Sequence, residues 1–191
     1  MNVRSTDKKQ RILDATMELI AENGLHATPM SQIGKRARVS AGAIYHYFPS
    51  KEAIVNHLYL DLKKEIADAA FQGYDIQAPY KERFCLIWRN SFNYLLSRPM
   101  KLSFLEQCSI SPLISAEAKA ESARYLATLL GFIAEGLESR QLKPMDSPLI
   151  LALIHGTIAG TAKLGLSGAL EITDERQEAA ARACWDGLKA D

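Results

Sequence analysis

Apolar side chains recur at helical spacing along almost the whole chain. Near the N-terminus, Ile12, Ala15 and Leu19 lie on one row, and further on Ile54 and Leu58 begin a repeat of four residues. This period is that of amphipathic helices, and no segment alternates persuasively as a strand does. The pattern predicts an all-α protein of about nine helices, over about residues 6–23, 30–37, 41–48, 51–72, 80–97, 100–109, 116–141, 147–166 and 174–188.

The second and third predicted helices are short and are bounded by residues typical of helix ends. Thr28 followed by Pro29 predicts an N-cap and a first turn, and Ser40 predicts a second N-cap. Val39 before that cap and Ile44 within the helix have the spacing of a hydrophobic staple. Three helices, the last two joined by a tight turn, predict a helix-turn-helix unit.

The third helix is the one that would read DNA in such a unit. At about eight residues it measures ~12 Å, since an α-helix rises 1.5 Å per residue. If Ile44 and Phe48 face the core, the outward positions are Ala41, Gly42, Tyr45 and His46. Small residues at the helix start let the backbone approach DNA, and the tyrosine and histidine can donate to phosphate oxygens.

Charge is distributed unevenly along the chain. Residues 1–51 carry eight basic and four acidic side chains, a net charge of +4, and the remainder carries −3 within a total of +1. A basic segment attached to an acidic body is typical of a nucleic-acid-binding head on a larger domain, although a basic cluster can also be only a solvated face.

The segment from Gly24 to Ile54 carries a family resemblance. Its sequence, GLHATPMSQIGKRARVSAGAIYHYFPSKEAI, resembles the DNA-binding domain of the TetR (tetracycline-repressor-like) family of bacterial transcriptional regulators. The most specific stretch is VSAGAIYHYFPSKEAI, residues 39–54, and the resemblance covers roughly residues 8–60. It implies a DNA-binding domain over residues 1–50 and a helical ligand-binding and dimerisation domain over residues 51–191, with the helix at 51–72 connecting them.

The resemblance also implies roles for single residues. Thr28 and Lys51 resemble phosphate contacts and Tyr45 a groove contact, whereas Lys35 and Arg36 are additional phosphate candidates. The full set predicted to contact DNA is Thr28, Lys35, Arg36, Ser40, Ala41, Gly42, Tyr45, His46 and Lys51.

Two positions depart from the family pattern. Arg38 stands in the turn where glycine is usual, so we expect either backbone strain or another turn there. Gly34 stands where alanine is usual, which would allow closer packing at some loss of helix propensity.

The eighth predicted helix has a face of small and apolar residues. Leu149 and Leu153 share it with Gly156 and Gly160, whose spacing of four residues lets another helix approach closely. Packing within one subunit would give the same pattern. The resemblance implies that the last two long helices pair with those of a second subunit, so that a homodimer presents two reading helices to a palindromic operator in double-stranded DNA.

Aromatic residues of the body, with a few polar groups, can line a cavity for a small, largely apolar effector. Most of them would serve equally well as core residues. The predicted lining is Phe84, Trp88, Phe92, Phe104, Gln107, Cys108, Tyr125 and His155. The leading hypothesis is a repressor that leaves its operator when this ligand binds.

Other functional classes have less support in the sequence. The four histidines lack metal-ligand spacing, and neither a glycine-rich phosphate loop nor a serine elbow is present, so we expect no enzyme activity, metal or cofactor. A redox-responsive regulator triggered by Cys108 or Cys85 stays open, as does a helical interaction module without DNA binding.

The sequence also indicates the cellular compartment of the protein. Three widely spaced cysteines and an N-terminus without an apolar core favour a cytoplasmic protein. The uncharged stretch at 147–162 is shorter than a membrane span needs, so we expect a buried core helix there.

Overall fold

The computed structural model describes residues 3–109 and 111–190, and their side chains except those of residues 3–6, 41 and 109. Within these ranges the chain forms ten α-helices and no β-strand, which confirms the all-α class. The helices are α1 (Val3–Asn23), α2 (Met30–Ala37), α3 (Ala41–Tyr47), α4 (Lys51–Ala70), α5 (Tyr80–Leu96), α6 (Pro99–Ser109), α7 (Ala116–Tyr125), α8 (Ala127–Glu138), α9 (Ser147–Leu166) and α10 (Asp174–Leu188).

The single helix predicted over residues 116–141 is wrong, because two helices occupy this stretch. α7 ends at Tyr125 and α8 begins at Ala127. Leu126 between them keeps right-handed helical angles (φ −84°, ψ −6°), so the break interrupts the helical hydrogen bonding without forming a loop. Neither proline nor glycine stands at this position, and the sequence therefore gives no signal for the break.

The first of two compact units comprises the chain up to Leu62 together with Met100–Ser122. In it α1 packs against α2, and α2 against α3. Asn56 on α4 clamps the connection between α6 and α7: its Nδ2 donates to the carbonyl of Leu113 (2.8 Å), and its Oδ1 accepts from the amide of Ser115 (2.9 Å). The core of this unit is mainly aliphatic and includes Ile12, Ile20, Ile33, Ile44, Ile54 and Leu62.

The second unit comprises Lys63–Pro99 and the chain from Ala123 onward. Here α5, α9 and α10 pack against one another, and α8 packs against α9. Aromatic side chains dominate its core. Trp88 and Phe92 of α5 are fully buried and stack with their ring centroids 5.3 Å apart, and Trp185 of α10 lies 5.3 Å from Phe84.

α9 is apolar on both its buried and its exposed side. Ile150, Ile154 and Ile158 are buried, whereas Leu149 and Leu153 are 50% and 44% exposed. The whole helix, with 20 residues, is longer than its uncharged part and is the one helix in the described ranges whose length and hydropathy would also allow a membrane span. Core helices of globular proteins meet the same criteria, and packing against α5, α8 and α10 accounts for its buried side.

Candidate nucleic-acid interface

α3 is short, capped and anchored by two buried side chains. The Ser40 hydroxyl accepts a hydrogen bond from the amide of Ala43 (3.3 Å), which confirms the predicted N-cap. Ile44 and Phe48 are buried against the first unit, and the amide of Phe48 donates to the carbonyl of Ile44 to end the helix. Between these anchors Tyr45 and His46 are exposed, whereas Tyr47 is half-buried.

The outward face of α3 carries the side chains that the sequence predicts to contact DNA. Tyr45 is 56% exposed, and His46 and Gly42 are exposed as well. A Cβ at Gly42 would meet nothing within 4 Å, so the start of the helix presents a low, open surface. The side chain of Ala41 lies outside the described residues. Phenol and imidazole groups on such a surface can donate to phosphate oxygens or base edges, and their DNA contacts stay predictions.

Arg38 keeps the left-handed turn in which glycine is usual. Its φ and ψ are 54° and 47°, and its amide and that of Val39 close the end of α2 by donating to the carbonyls of Lys35 (3.2 Å) and Gly34 (3.0 Å). Gly34 supports the turn, because a Cβ there would lie 3.4 Å from the carbonyl oxygen of Val39. The turn geometry is thus preserved at the cost of strain at Arg38.

Thr28 does not cap α2 with its side chain. The N-cap is Pro29, without a side-chain hydrogen bond, and the Thr28 hydroxyl instead donates backward to the carbonyl of Gly24 (3.0 Å). The threonine is fully buried. Its side chain therefore stabilises the connection between α1 and α2, and the predicted N-cap is wrong.

Lys51 on α4, the predicted phosphate contact, also bonds to the connection between α1 and α2. The Nζ of Lys51 donates to the carbonyls of Leu25 and His26, at 3.2 Å in each case. An ammonium group has three donors, so one proton is left for a further acceptor. The geometry places a positive charge at the α1–α2 connection and couples it to the start of α4.

The neighbouring residues Lys35 and Arg36 differ in whether their charges are paired within the fold. The Arg36 guanidinium binds Glu22 (2.7 Å) and Glu18 (3.1 Å) on α1. Hydrogen bonding to Glu22 raises the pKa of Arg36 further above its ordinary range, and the same contact lowers the pKa of Glu22. Lys35 is exposed and makes no ion pair or hydrogen bond with other described residues. Of the two charges, that of Lys35 is the one left available to a phosphate.

A further cation near α3 was missed by the sequence reasoning. The Nζ of Lys9 on α1 lies 5.8 Å from the centre of the Phe48 ring, directly after the end of α3. Only the count of basic residues near the N-terminus could have indicated it, because the contact depends on how α1 packs.

The residues predicted to line an effector cavity are divided between the two units. Phe84, Trp88 and Phe92 are buried in the second unit, where the indole Nε1 of Trp88 donates to the hydroxyl of Thr157 (2.9 Å). Phe104 and Cys108 are buried in the first unit. Their role in effector binding stays a prediction.

The three remaining predicted lining residues lie in different surroundings. Gln107 is half-buried in the first unit, and its Oε1 accepts a hydrogen bond from the amide of Leu25 (2.8 Å). Tyr125 is half-buried and lines an open groove of about 390 Å³ with Phe71 and Arg124. His155, expected on a cavity wall, lies on the exposed side of α9.

The thiols give little support to a redox trigger. Cys85, Cys108 and Cys184 are all reduced and buried. Burial raises the pKa of Cys85 and Cys184, which disfavours the reactive thiolate form. Within the described ranges, no group of three or more His, Cys, Asp or Glu side chains is arranged to hold a metal ion.

Sequence comparison finds two family models that together span most of the chain. One, described as bacterial regulatory proteins of the tetR family, matches residues 12–58, and another, described as the tetracyclin repressor-like C-terminal domain, matches residues 79–189. A fatty acid metabolism regulator protein of Bacillus subtilis is 33% identical over 158 residues, covering 81% of each chain. The regulator BetI of Escherichia coli is 28% identical over 155 residues, covering 78% of this chain and 79% of its own.

Solved structures agree with these matches. A TetR family transcription regulator from Marinobacter aquaeolei superposes with a TM-score of 0.92 at 27% identity, with full coverage of both chains. The transcriptional regulator FadR from Bacillus subtilis, solved in complex with stearoyl-CoA, superposes with a TM-score of 0.69 at 25% identity, covering 93% of this chain and 95% of its own.

Proposed function

The chain belongs to the TetR family of bacterial regulatory proteins and is a DNA-binding transcriptional regulator, and from this premise we propose that it is a homodimeric repressor released from a palindromic operator by a small, largely apolar ligand. Residues 1–50 form the DNA-binding domain and residues 51–191 the ligand-binding and dimerisation domain in this proposal. Its place of action is the cytoplasm.

The observation that carries the DNA-binding role is the exposed face of α3. Tyr45 and His46 point outward from a helix that Ser40 caps and that Ile44 and Phe48 anchor. Lys35 adds an available charge on α2. A rigid short helix with donors on its open side, flanked by cations, suits insertion into a major groove with phosphate contacts on either side.

Matched lysine variants test this role through the salt dependence of binding to the DNA upstream of the gene. Lys35→Ala should lower the slope of log K against log salt by about one, because one phosphate contact is lost. Lys81→Ala removes another exposed lysine, on α5, and should leave the slope unchanged. Equal slopes for both variants would show that Lys35 does not contact DNA. A wild-type chain that binds no promoter DNA at low salt would refute the proposed function.

Tyr45→Ala tests the reading helix itself. The loss of the phenol should weaken operator binding by about tenfold or more, since a good contact contributes ~1–3 kcal/mol. Dimerisation, measured by sedimentation, should be unchanged because Tyr45 is exposed and far along the chain from α9 and α10. A variant that instead loses the dimer would show that Tyr45 is not a DNA-facing residue.

The dimer is proposed through α9 and α10. Leu149 and Leu153 are exposed in the single chain, and a Cβ at Gly156 or Gly160 would meet nothing within 4 Å. Packing within the subunit therefore gives no reason for two glycines in the middle of α9, where each costs ~1 kcal/mol relative to alanine. Close approach of a second copy gives such a reason.

A long-chain acyl thioester is the first ligand to test. The support comes from relatives: one regulates fatty acid metabolism, and the FadR structure holds stearoyl-CoA. Stearoyl-CoA should raise the melting temperature, by the equivalent of about 2.7 kcal/mol at a hundredfold excess over Kd, and release the DNA. Coenzyme A without the acyl chain is the matched control and should do neither. Stabilisation by both compounds would argue against an apolar ligand.

A further inference from the structure

Gln107 stands near the end of α6 but bonds to the connection between α1 and α2. Its Oε1 accepts a hydrogen bond from the amide of Leu25 at 2.8 Å, across 82 positions of sequence. Its Nε2 donates to the hydroxyl of Ser103 one turn earlier on α6 (3.2 Å), which orients the amide group. The acceptor of this glutamine is therefore committed to the backbone of the DNA-binding unit.

The connection that Gln107 holds is a junction of three side chains. The Thr28 hydroxyl binds the carbonyl of Gly24, and Lys51 binds the carbonyls of Leu25 and His26. Gln107 satisfies the amide of Leu25, whose side chain is buried. α4 and α6 thus each contribute one polar side chain to the backbone between Gly24 and Thr28, and Thr28 of the connection itself contributes the third.

This junction lies directly before α2, and α2 packs against α3. α2 starts at Met30, two residues after Thr28, and packs against both α1 and α3. Gly24 turns the chain with φ +85°, and a Cβ there would lie 3.7 Å from Oε1 of Gln107, so the glutamine is in close contact with the turn itself. A shift of this turn would move α2, and with it the outward face of α3.

We propose that Gln107 is a positioning residue for operator recognition: it touches no DNA, but it fixes the α1–α2 connection so that α3 is presented in the orientation that reads the operator. This role rests on the proposed DNA-binding function. It reassigns a side chain that the sequence indicated as a ligand contact, and it makes α6 a structural part of the DNA-binding unit.

The test compares three variants on two duplexes of equal length. One duplex is selected by the wild-type chain from a randomised pool, and the other is an unrelated sequence. Gln107→Met keeps the length and helix propensity of the side chain but removes the acceptor; Gln107→Glu keeps an acceptor; Ser103→Ala removes only the group to which Nε2 donates. All are measured below the lowest melting temperature of the set.

Gln107→Met should lower the ratio of selected to unrelated binding by about tenfold, because the amide of Leu25 loses its partner. Gln107→Glu and Ser103→Ala should keep the ratio near that of the wild type, and exchange of the Leu25 amide with solvent should be faster in Gln107→Met alone. If Gln107→Met does not fold, Gln107→Ser is the second variant without a matching acceptor and should show the same loss.

Two results would overturn the role: an unchanged ratio in the variants that lack the acceptor, or an equal loss in Gln107→Glu. A wild-type chain that selects no duplex would refute the proposed function and this role with it. That outcome is distinguishable, because the first two results require a wild-type chain that does select.

Discussion

At the scale of single residues, Arg38 occupies a backbone position that glycine adopts at lower cost. Its left-handed angles, φ 54° and ψ 47°, strain a side chain with a Cβ by ~1 kcal/mol. The side chain is exposed and lines a cleft with Asp14 and Glu18 of α1, and Tyr45 is not among the lining residues of this cleft. The strain at Arg38 therefore belongs to the turn between α2 and α3, and no contact of the side chain with the outward face of α3 accounts for it.

Arg38→Gly should stabilise the protein by about 0.5–1 kcal/mol, because relief of the left-handed strain exceeds the added entropy of the unfolded chain. Arg38→Ala keeps the Cβ and should give no such gain. Urea unfolding of both variants measures the difference. Equal stability of Arg38→Gly and Arg38→Ala would show that the turn is not strained.

A second residue-scale feature is the buried guanidinium of Arg83. It is 6% exposed, forms two hydrogen bonds with Glu135 on α8, and donates to the hydroxyl of Tyr74 (2.7 Å). The rings of Tyr80 and Phe132 lie 5.3 and 5.6 Å from its charged carbon. The hydrogen bond from Arg83 lowers the pKa of Glu135.

Glu135→Gln should destabilise the protein at neutral pH by about 1–3 kcal/mol, because a buried cation loses its counter-ion. The lowered pKa of Glu135 sets the pH dependence. The extra stability of the wild type over Glu135→Gln is present above the ordinary carboxyl pKa, and it is lost as the pH falls through the lowered pKa of the folded state. Unfolding free energies at neutral and acidic pH measure it, and the gap should narrow in acid. A gap that is constant or widens would contradict the ion pair.

At the scale of elements, the helices differ in how far the sequence predicts them. α3 was predictable from Ser40 and Ile44, since its cap and its anchor lie within a few residues. α9 and α10 begin and end where their periodicity indicates. The break at Leu126 was not predictable, because no local residue causes it. The contacts of Lys51 and Gln107 were missed because their partners lie 25 or more positions away in the sequence and depend on tertiary packing.

The glycines of α9 give the element-scale prediction. Gly160→Leu should convert the dimer to a monomer, since the added side chain blocks close helix approach, while the monomer itself gains ~1 kcal/mol from better helix propensity. Gly131→Leu on α8 is the control, because a Cβ there also meets nothing within 4 Å. Sedimentation equilibrium distinguishes the two. A Gly160→Leu variant that stays dimeric would exclude this face.

At the scale of the whole molecule, charge and family resemblance predicted the function better than they predicted the site. The net +4 of residues 1–51 indicated a nucleic-acid partner. Yet Arg36 is bound by Glu18 and Glu22, and Lys51 by two carbonyls. A count of charges cannot show which basic side chains are already bonded within the fold, so only the structure identifies the cations that are available to DNA.

The most direct test of the account is the stoichiometry of the chain on DNA that it selects itself. Duplexes enriched from a randomised pool should share an inverted repeat, and sedimentation of the complex should give two chains, or a multiple of two, per duplex. Enrichment of a site without inverted symmetry, bound by a single chain, would contradict a dimeric regulator that reads DNA through paired α3 helices.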